Sequence, residues 1–274
     1  MAVSLAGKKI LITGSTDGLG KLVARDLAKQ NAIVLLHGRN REKGKIVLDE
    51  LFRLTQNTGL KYYNGDYSSF DEVDKLCDDL LSDNDNIDIL INNVGIGSGK
   101  SAGKGLELSK DGLELRLAVN YLSHVLLTEK IMDIINSGNG VIINVASIGQ
   151  EPVDFSDLML EKKYDGYFAY KRSKTALIMY TFDLAERLKE KGIKVNALHP
   201  ASLMNTNMVL KDWGYTLSTV EEGADAVENL LFPAATGNYY DGMRKSKAIS
   251  QAYDPEARYN LHEITWKLLS NHLK

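Results

Sequence analysis

Short runs of apolar, mostly β-branched residues alternate with longer amphipathic stretches along the first two hundred positions. Lys9–Thr13, Ala32–Leu36, Ile87–Ile91, Val141–Val145 and Lys194–Leu198 are nearly unbroken apolar runs bounded by turn residues. They read as strands covered on both faces, the pattern of a parallel sheet. A weaker strand falls near Leu60–Tyr63. Between them, Leu19–Lys29, Arg41–Asn57, Ser69–Ser82, Leu113–Asn136 and Ala169–Lys191 carry apolar residues at helical spacing. Asp254-Pro255 has the form of an N-cap followed by proline at the first helical position, and opens a terminal helix to about His272. Strand–helix alternation of this kind predicts a single-domain, Rossmann-type, doubly wound parallel α/β sheet flanked by helices on both faces. Right-handed crossovers place its ligand crevice at the carboxyl ends of the strands.

Composition narrows the picture by exclusion. The 274 residues suit one large α/β domain, and only four prolines are present, with no linker to divide residues 1–274. A formal net charge of -3 implies no broad attraction to nucleic acid or acidic lipid. Cys77 is the one cysteine, so an internal disulfide is excluded and a reducing compartment fits. Its expected place is a small apolar contact on a helix. No apolar run reaches the length of a membrane span, and the start, Met1–Lys9, is too short and polar for a secretory signal. The expected location is cytoplasmic. No His/Cys/Asp cluster has metal-ligand spacing, so no metal is expected.

Chemistry enters at two places. Thr13-Gly14-Ser15-Thr16-Asp17-Gly18-Leu19-Gly20 follows the first strand and opens the first helix. Glycines there let the backbone approach a pyrophosphate, and the helix N-terminus offers free N–H groups to it. Gly14, Ser15, Thr16, Gly18, Leu19 and Gly20 are therefore candidate cofactor contacts. After the second strand comes His37-Gly38-Arg39-Asn40. An NAD-binding fold usually carries an acidic residue here for the ribose 2′-hydroxyl. Arg39 instead suits a 2′-phosphate, with Asn40 beside it, so NADP(H) is expected in preference to NAD(H). Tyr170 and Lys174 are four residues apart on a predicted helix and share one face. An ammonium beside a phenol favours the phenolate and draws its pKa down from about 10, which makes the pair a candidate tuned acid/base.

These motifs occur with Asn92-Asn93-Val94-Gly95 after the fourth strand, Asn120 on a long helix, and Ser147 at the end of the fifth strand. In that order, and over most of positions 8–210, the chain resembles the classical short-chain dehydrogenase/reductase family. The resemblance implies that Ser147 hydrogen-bonds a substrate carbonyl and that Tyr170 exchanges its proton. Lys174 would tune Tyr170 and bind the nicotinamide ribose, and Asn120 would carry a water relay. Asp66 and Tyr67 would adjoin the adenine, and Asn93, Val94 and Gly95 would line the adenosine pocket. Pro200, Leu203 and Thr206 would lie beside the nicotinamide, with Ala201 departing from the family's usual glycine. A catalytically idle dinucleotide sensor on the same fold is the alternative.

Ser147 and Tyr170 are 23 residues apart, about ten more than is common in the family. The extra segment, near 148–168, resembles the insertion of the retinol dehydrogenase-like and protochlorophyllide reductase-like branch, as do Thr236–Gly242 and Asp254–Arg258. It either packs over a helix or, with Phe155, Leu158, Met159, Met204 and Trp213, borders an apolar cleft for a lipophilic carbonyl or alcohol. The region 200–274 would then form the substrate side, with the loop after Pro200 as a lid. Membrane-bound members of that branch carry an N-terminal anchor, which is not expected here. Family practice implies a homodimer through the helices at 113–136 and 169–191, unless the insertion blocks that face. His124 is expected to be a surface or packing residue, and His37 and His199 to sit at strand ends without an assigned role.

Overall fold

The computed structural model describes residues 4–99 and 105–273, so the first three residues of the segment read for a signal lie outside it. Seven strands run parallel: β1 (Lys9–Ile12), β2 (Ile33–Gly38), β3 (Leu60–Asn64), β4 (Ile89–Asn92), β5 (Val141–Val145), β6 (Lys194–His199) and β7 (Asn238–Asp241). A short strand β8 (Arg244–Ser246) turns back antiparallel to β7. The order across the sheet is β3-β2-β1-β4-β5-β6-β7-β8. The winding direction reverses between β1 and β4, and the crevice of a doubly wound sheet opens at that switch.

The unbroken apolar strands are explained by two cores. Leu11, Leu35, Leu90 and Ile142 point to one face, where they meet α3 (Phe70–Asp83), α5 (Ser123–Lys130), α6 (Gly166–Arg187) and α9 (Pro255–Leu268). Their neighbours Ile10, Ile12, Val34, Leu36, Ile89, Ile91 and Ile143 point to the other face. There they meet α1 (Gly18–Lys29), α2 (Arg41–Thr55) and α8 (Val220–Glu228). Inner residues of the central strands therefore bury their side chains whichever way the pleat turns them.

The predicted six strands all form, and Asp254 caps α9 as expected, accepting from the Glu256 amide at 2.9 Å. The helix predicted over Leu113–Asn136 forms without a break from Leu115 to Lys130, with a π turn inside it. It comprises α4 (Leu115–Leu117), a π turn over Ala118–Leu122 and α5, and a 3-10 turn over Met132–Ile134 follows. Two tertiary demands reshape it. Asn120 turns its amide inward to bind a neighbouring loop, and Ile135 leaves the helix to bridge Ile87, whose amide donates to the Ile134 carbonyl at 2.6 Å. α7 (Asn207–Trp213), α8, β7 and β8 were not anticipated. They are short, and β8 is polar, as an edge strand tends to be.

The insertion near 148–168 runs in turns until Asp165 caps α6, accepting from the Tyr167 amide at 2.7 Å. Phe155, Leu158 and Met159 pack against the core on the α6 face, so this part of the insertion covers helices. Met204 is a correction. It is buried on the opposite face under α8, where a Cβ on Gly223 would strike its sulfur, and it cannot border the same cleft. α9 and the 3-10 turn at Ser250–Tyr253 lie over α6: the Tyr121 and Thr265 hydroxyls bond at 2.7 Å and Arg258 Nε reaches Asp183 at 3.1 Å. The helix face expected to pair two copies is thus occupied by the chain itself. Cys77 is buried and its thiol is pushed up to about 12 by desolvation, an inert core residue.

Candidate active site

The loop after β1 turns on Gly14 and Gly18, both in the left-handed region (φ 68° and 48°) that glycine alone adopts without strain. Gly20 has a different reason. A Cβ there would lie 2.5 Å from the Gly14 carbonyl oxygen and 2.5 Å from Asn93 Nδ2. The loop is anchored from below: the Gly14 amide donates to His37 Nδ1 at 3.2 Å, and Asn93 Nδ2 donates to the carbonyls of Thr13 and Gly14 at 2.8 and 3.2 Å. His37 is fully buried, its pKa lowered to about 4 by desolvation, and its Nε2–H faces the Gly65 carbonyl at 3.1 Å. A neutral imidazole with Nδ1 bare is what the Gly14 amide requires, a role the sequence did not reveal. Ser15 is buried and tied to the His37 backbone, and Leu19 enters the core, so both support the loop from behind.

Above the loop, Arg39 stands exposed, while Asn40 caps α2 by accepting from the Lys43 amide at 2.9 Å. Asp66 closes a local turn through the Ser68 amide at 3.0 Å. Tyr67 is 2% exposed, its ring 5.1 Å from both His37 and His124, so it forms the pocket floor and not its lining. His124 is equally buried. Its pKa is lowered to about 3, chiefly by desolvation, and its Nε2 bonds the Val94 carbonyl at 2.8 Å, a packing residue that fixes the segment after β4.

The four residues expected to be catalytic come from three parts of the chain, the π turn, the loop after β5 and α6, and converge. Asn120, in the π turn, accepts the Ile96 amide at 2.8 Å and donates to the Ile96 carbonyl and Ser173 Oγ, both at 3.1 Å. Bulges of this type concentrate at functional sites. Lys174 is 4% exposed, and Nζ donates to the Val145 carbonyl at 2.9 Å. Gly95 borders that nitrogen: a Cβ there would stand 3.4 Å from it, in ordinary contact. Desolvation lowers its pKa to about 8. Ser147 Oγ accepts the Gly149 amide at 3.0 Å, leaving its proton free to donate. Its carbonyl is held by Tyr239 from β7 and Gln150 from the insertion, at 3.0 and 3.1 Å.

Tyr170 corrects one expectation. Its pKa is raised above 10: burial dominates, the Ser147 hydroxyl lowers it, and Asp212 and Tyr167 raise it. Lys174 Nζ donates to the Val145 carbonyl. At neutral pH the phenol therefore keeps its proton, the form that can donate.

α7 closes over these groups. Thr206 caps it, with its methyl against Gly18, and Asn207 Nδ2 reaches Asp17 at 3.1 Å. Trp213 meets Tyr167 edge-on at 6.0 Å. Leu203, ahead of α7, holds a positive φ of 46°, and Pro200 is buried behind it.

A glycine cradle at a helix N-terminus, an exposed arginine beyond β2 and a buried lysine with two unused N–H donors fit a nicotinamide dinucleotide next to a Ser–Tyr–Lys–Asn constellation. The chain belongs to the short chain dehydrogenase family, whose model matches residues 8–213. It is 36% identical to an uncharacterized oxidoreductase of Schizosaccharomyces pombe, over 97% of this chain and 86% of the relative. It is 34% identical to human retinol dehydrogenase 12, over 97% and 88%. An uncharacterized protein of Mycobacterium paratuberculosis superposes with a TM-score of 0.81 at 22% identity, covering 97% of this chain and 95% of that one. The chain is an oxidoreductase of the CH–OH/C=O class in the retinol dehydrogenase-like branch. Among the described residues no helix is long and apolar enough to cross a membrane.

Proposed function

We propose that the protein is an NADP(H)-dependent reductase of uncharged, lipophilic aldehydes or ketones, acting as a cytoplasmic monomer. The fold takes a nicotinamide dinucleotide, and the exposed Arg39 at the end of β2 favours the 2′-phosphate form. When bound, that cofactor supplies the hydride that adds to the carbonyl carbon.

The chain's own residues do the rest. Gly14, Thr16, Gly18 and the N-terminus of α1 bind the pyrophosphate, while Asp66, Asn93, Val94 and Gly95 frame the adenosine side. Lys174 gives the N–H groups that Val145 leaves unused to the ribose. Ser147 donates its free proton to the substrate oxygen and holds it within reach of Tyr170. Tyr170 then transfers its phenolic proton to that oxygen as negative charge develops, giving the alcohol and a phenolate. Asn120, through its hold on Ile96 and Ser173, keeps Lys174 beside a path by which a proton from solvent restores the phenol. Tyr170, hydrogen-bonded to Ser147 and one helical turn from the buried Lys174, is the observation that carries this reading.

Human retinol dehydrogenase 12 and the other retinol dehydrogenases named among the relatives support a lipophilic substrate. The apolar side chains around the lid, Met208, Leu210 and Trp213 on α7 with Phe168 on α6, support the same reading. NADPH consumption across a panel of aldehydes, ketones and quinones tests it, with Tyr170→Phe as control. Removing a positioned proton donor costs roughly 100- to 10,000-fold, so turnover that survives the substitution would remove Tyr170 from the mechanism.

A further inference from the structure

Asp212, on the inner side of α7, is a charged group over the substrate position that the chemistry above does not use. Ser98 Oγ donates to its Oδ2 at 3.2 Å, and a Cβ on Gly97 would collide with the same oxygen. Gly97 and Ser98 continue the segment whose Gly95 borders Lys174 and whose Ile96 is clamped by Asn120. Its neighbour Trp213 meets Tyr167, one turn before Tyr170 on α6. Asp212 is thus fixed from two sides, by the loop after β4 and by the helix carrying the phenol. Its charge reaches Tyr170, since it is among the groups that raise that phenol's pKa. Among the described residues no cation lies within ion-pair distance of it, and Oδ1 has no hydrogen-bond partner.

We infer that Asp212 is a specificity-determining residue that excludes substrates bearing an anionic group close to the carbonyl. The inference rests on the carbonyl-reductase reading and deepens it. A carboxylate held in a half-buried mouth repels a second carboxylate entering the same space. Uncharged carbonyl compounds pass, and a hydroxyl on the substrate finds an acceptor in Oδ1. The reaction product, an uncharged alcohol, leaves without the same barrier.

The test compares 4-formylbenzoate with its methyl ester, two aldehydes that share the reacting group and differ by one charge. The wild type should favour the ester in kcat/KM, and Asp212→Asn should shrink that preference by roughly tenfold. Asp212→Glu keeps the charge and should retain the wild-type ratio. A lid that is merely loosened by substitution changes both substrates together and leaves the ratio alone, so an unchanged ratio in Asp212→Asn overturns the inference. Loss of the ratio in Asp212→Glu as well as in Asp212→Asn also overturns it, because charge would then not be the cause. Tyr170→Phe separates this failure from that of the underlying reading: it abolishes both activities if the chemistry stands, whatever Asp212 does.

Discussion

Burying Lys174 should leave a signature in stability that depends on pH and needs no substrate. In the folded chain its ammonium has one acceptor, the Val145 carbonyl at 2.9 Å, and its pKa falls from 10.5 to about 8 through desolvation. Above both values the amine is neutral folded or unfolded and costs nothing. As pH drops below 10.5 the unfolded chain takes up a proton that the folded chain resists, so stability is lost until the folded lysine also protonates near 8. At about 1.4 kcal/mol per pH unit, the loss across that window is about 3 kcal/mol. Below it the penalty is constant. Lys174→Met removes the titration and keeps the apolar stem. Urea unfolding of both cofactor-free proteins at several values between pH 7.5 and 10.5 gives the difference in ΔG. The wild type should gain about 3 kcal/mol relative to the variant as pH rises through the window. Tyrosines that ionise there act on both proteins and cancel. Parallel curves would show that the ammonium is not desolvated, and the argument that it awaits the ribose would fail with it.

Three further outcomes follow from named contacts. Arg39→Ala should weaken NADPH binding roughly 10- to 100-fold with little change for NADH, the loss of a charged hydrogen bond; equal KM changes for the two cofactors would place Arg39 away from the 2′-phosphate. Gly20→Ala drives a methyl onto the Gly14 carbonyl and Asn93, and should cost about 1–3 kcal/mol in urea melts and most cofactor affinity, whereas a variant that binds NADPH normally would refute the cradle. Because α9 covers α6, light scattering should return a mass near 30.3 kDa, and a species of twice that mass would mean that α9 leaves or that another face pairs.

Much of the site was readable from the order of motifs. Gly14, Gly18, Asn93, Gly95, Asn120, Ser147, Tyr170 and Lys174 fall together because doubly wound topology brings the carboxyl ends of β1, β4 and β5 to one edge. His37 and Asp212 were not readable. A histidine ending a strand carries no mark of the amide that will lie beside it, and Asp212 lies on a seven-residue helix too short for a periodic signal. The burial of the Tyr67 ring was not readable for a related reason: adjacent residues in a loop can point to solvent or to the core, and only the packing of His37 and His124 decides.

The sequence by itself determined the alternation of strand and helix, the glycine loop and the candidate proton-transfer residues, since each depends on local spacing or backbone freedom. Tertiary structure decided what depends on neighbours distant in the chain. It bulged the helix at Asn120 into a π turn to serve Ile96 and laid α9 over α6. It also seated the Lys174 ammonium on the Val145 carbonyl. The phenol keeps its proton through burial, and spacing along a helix could not have shown it.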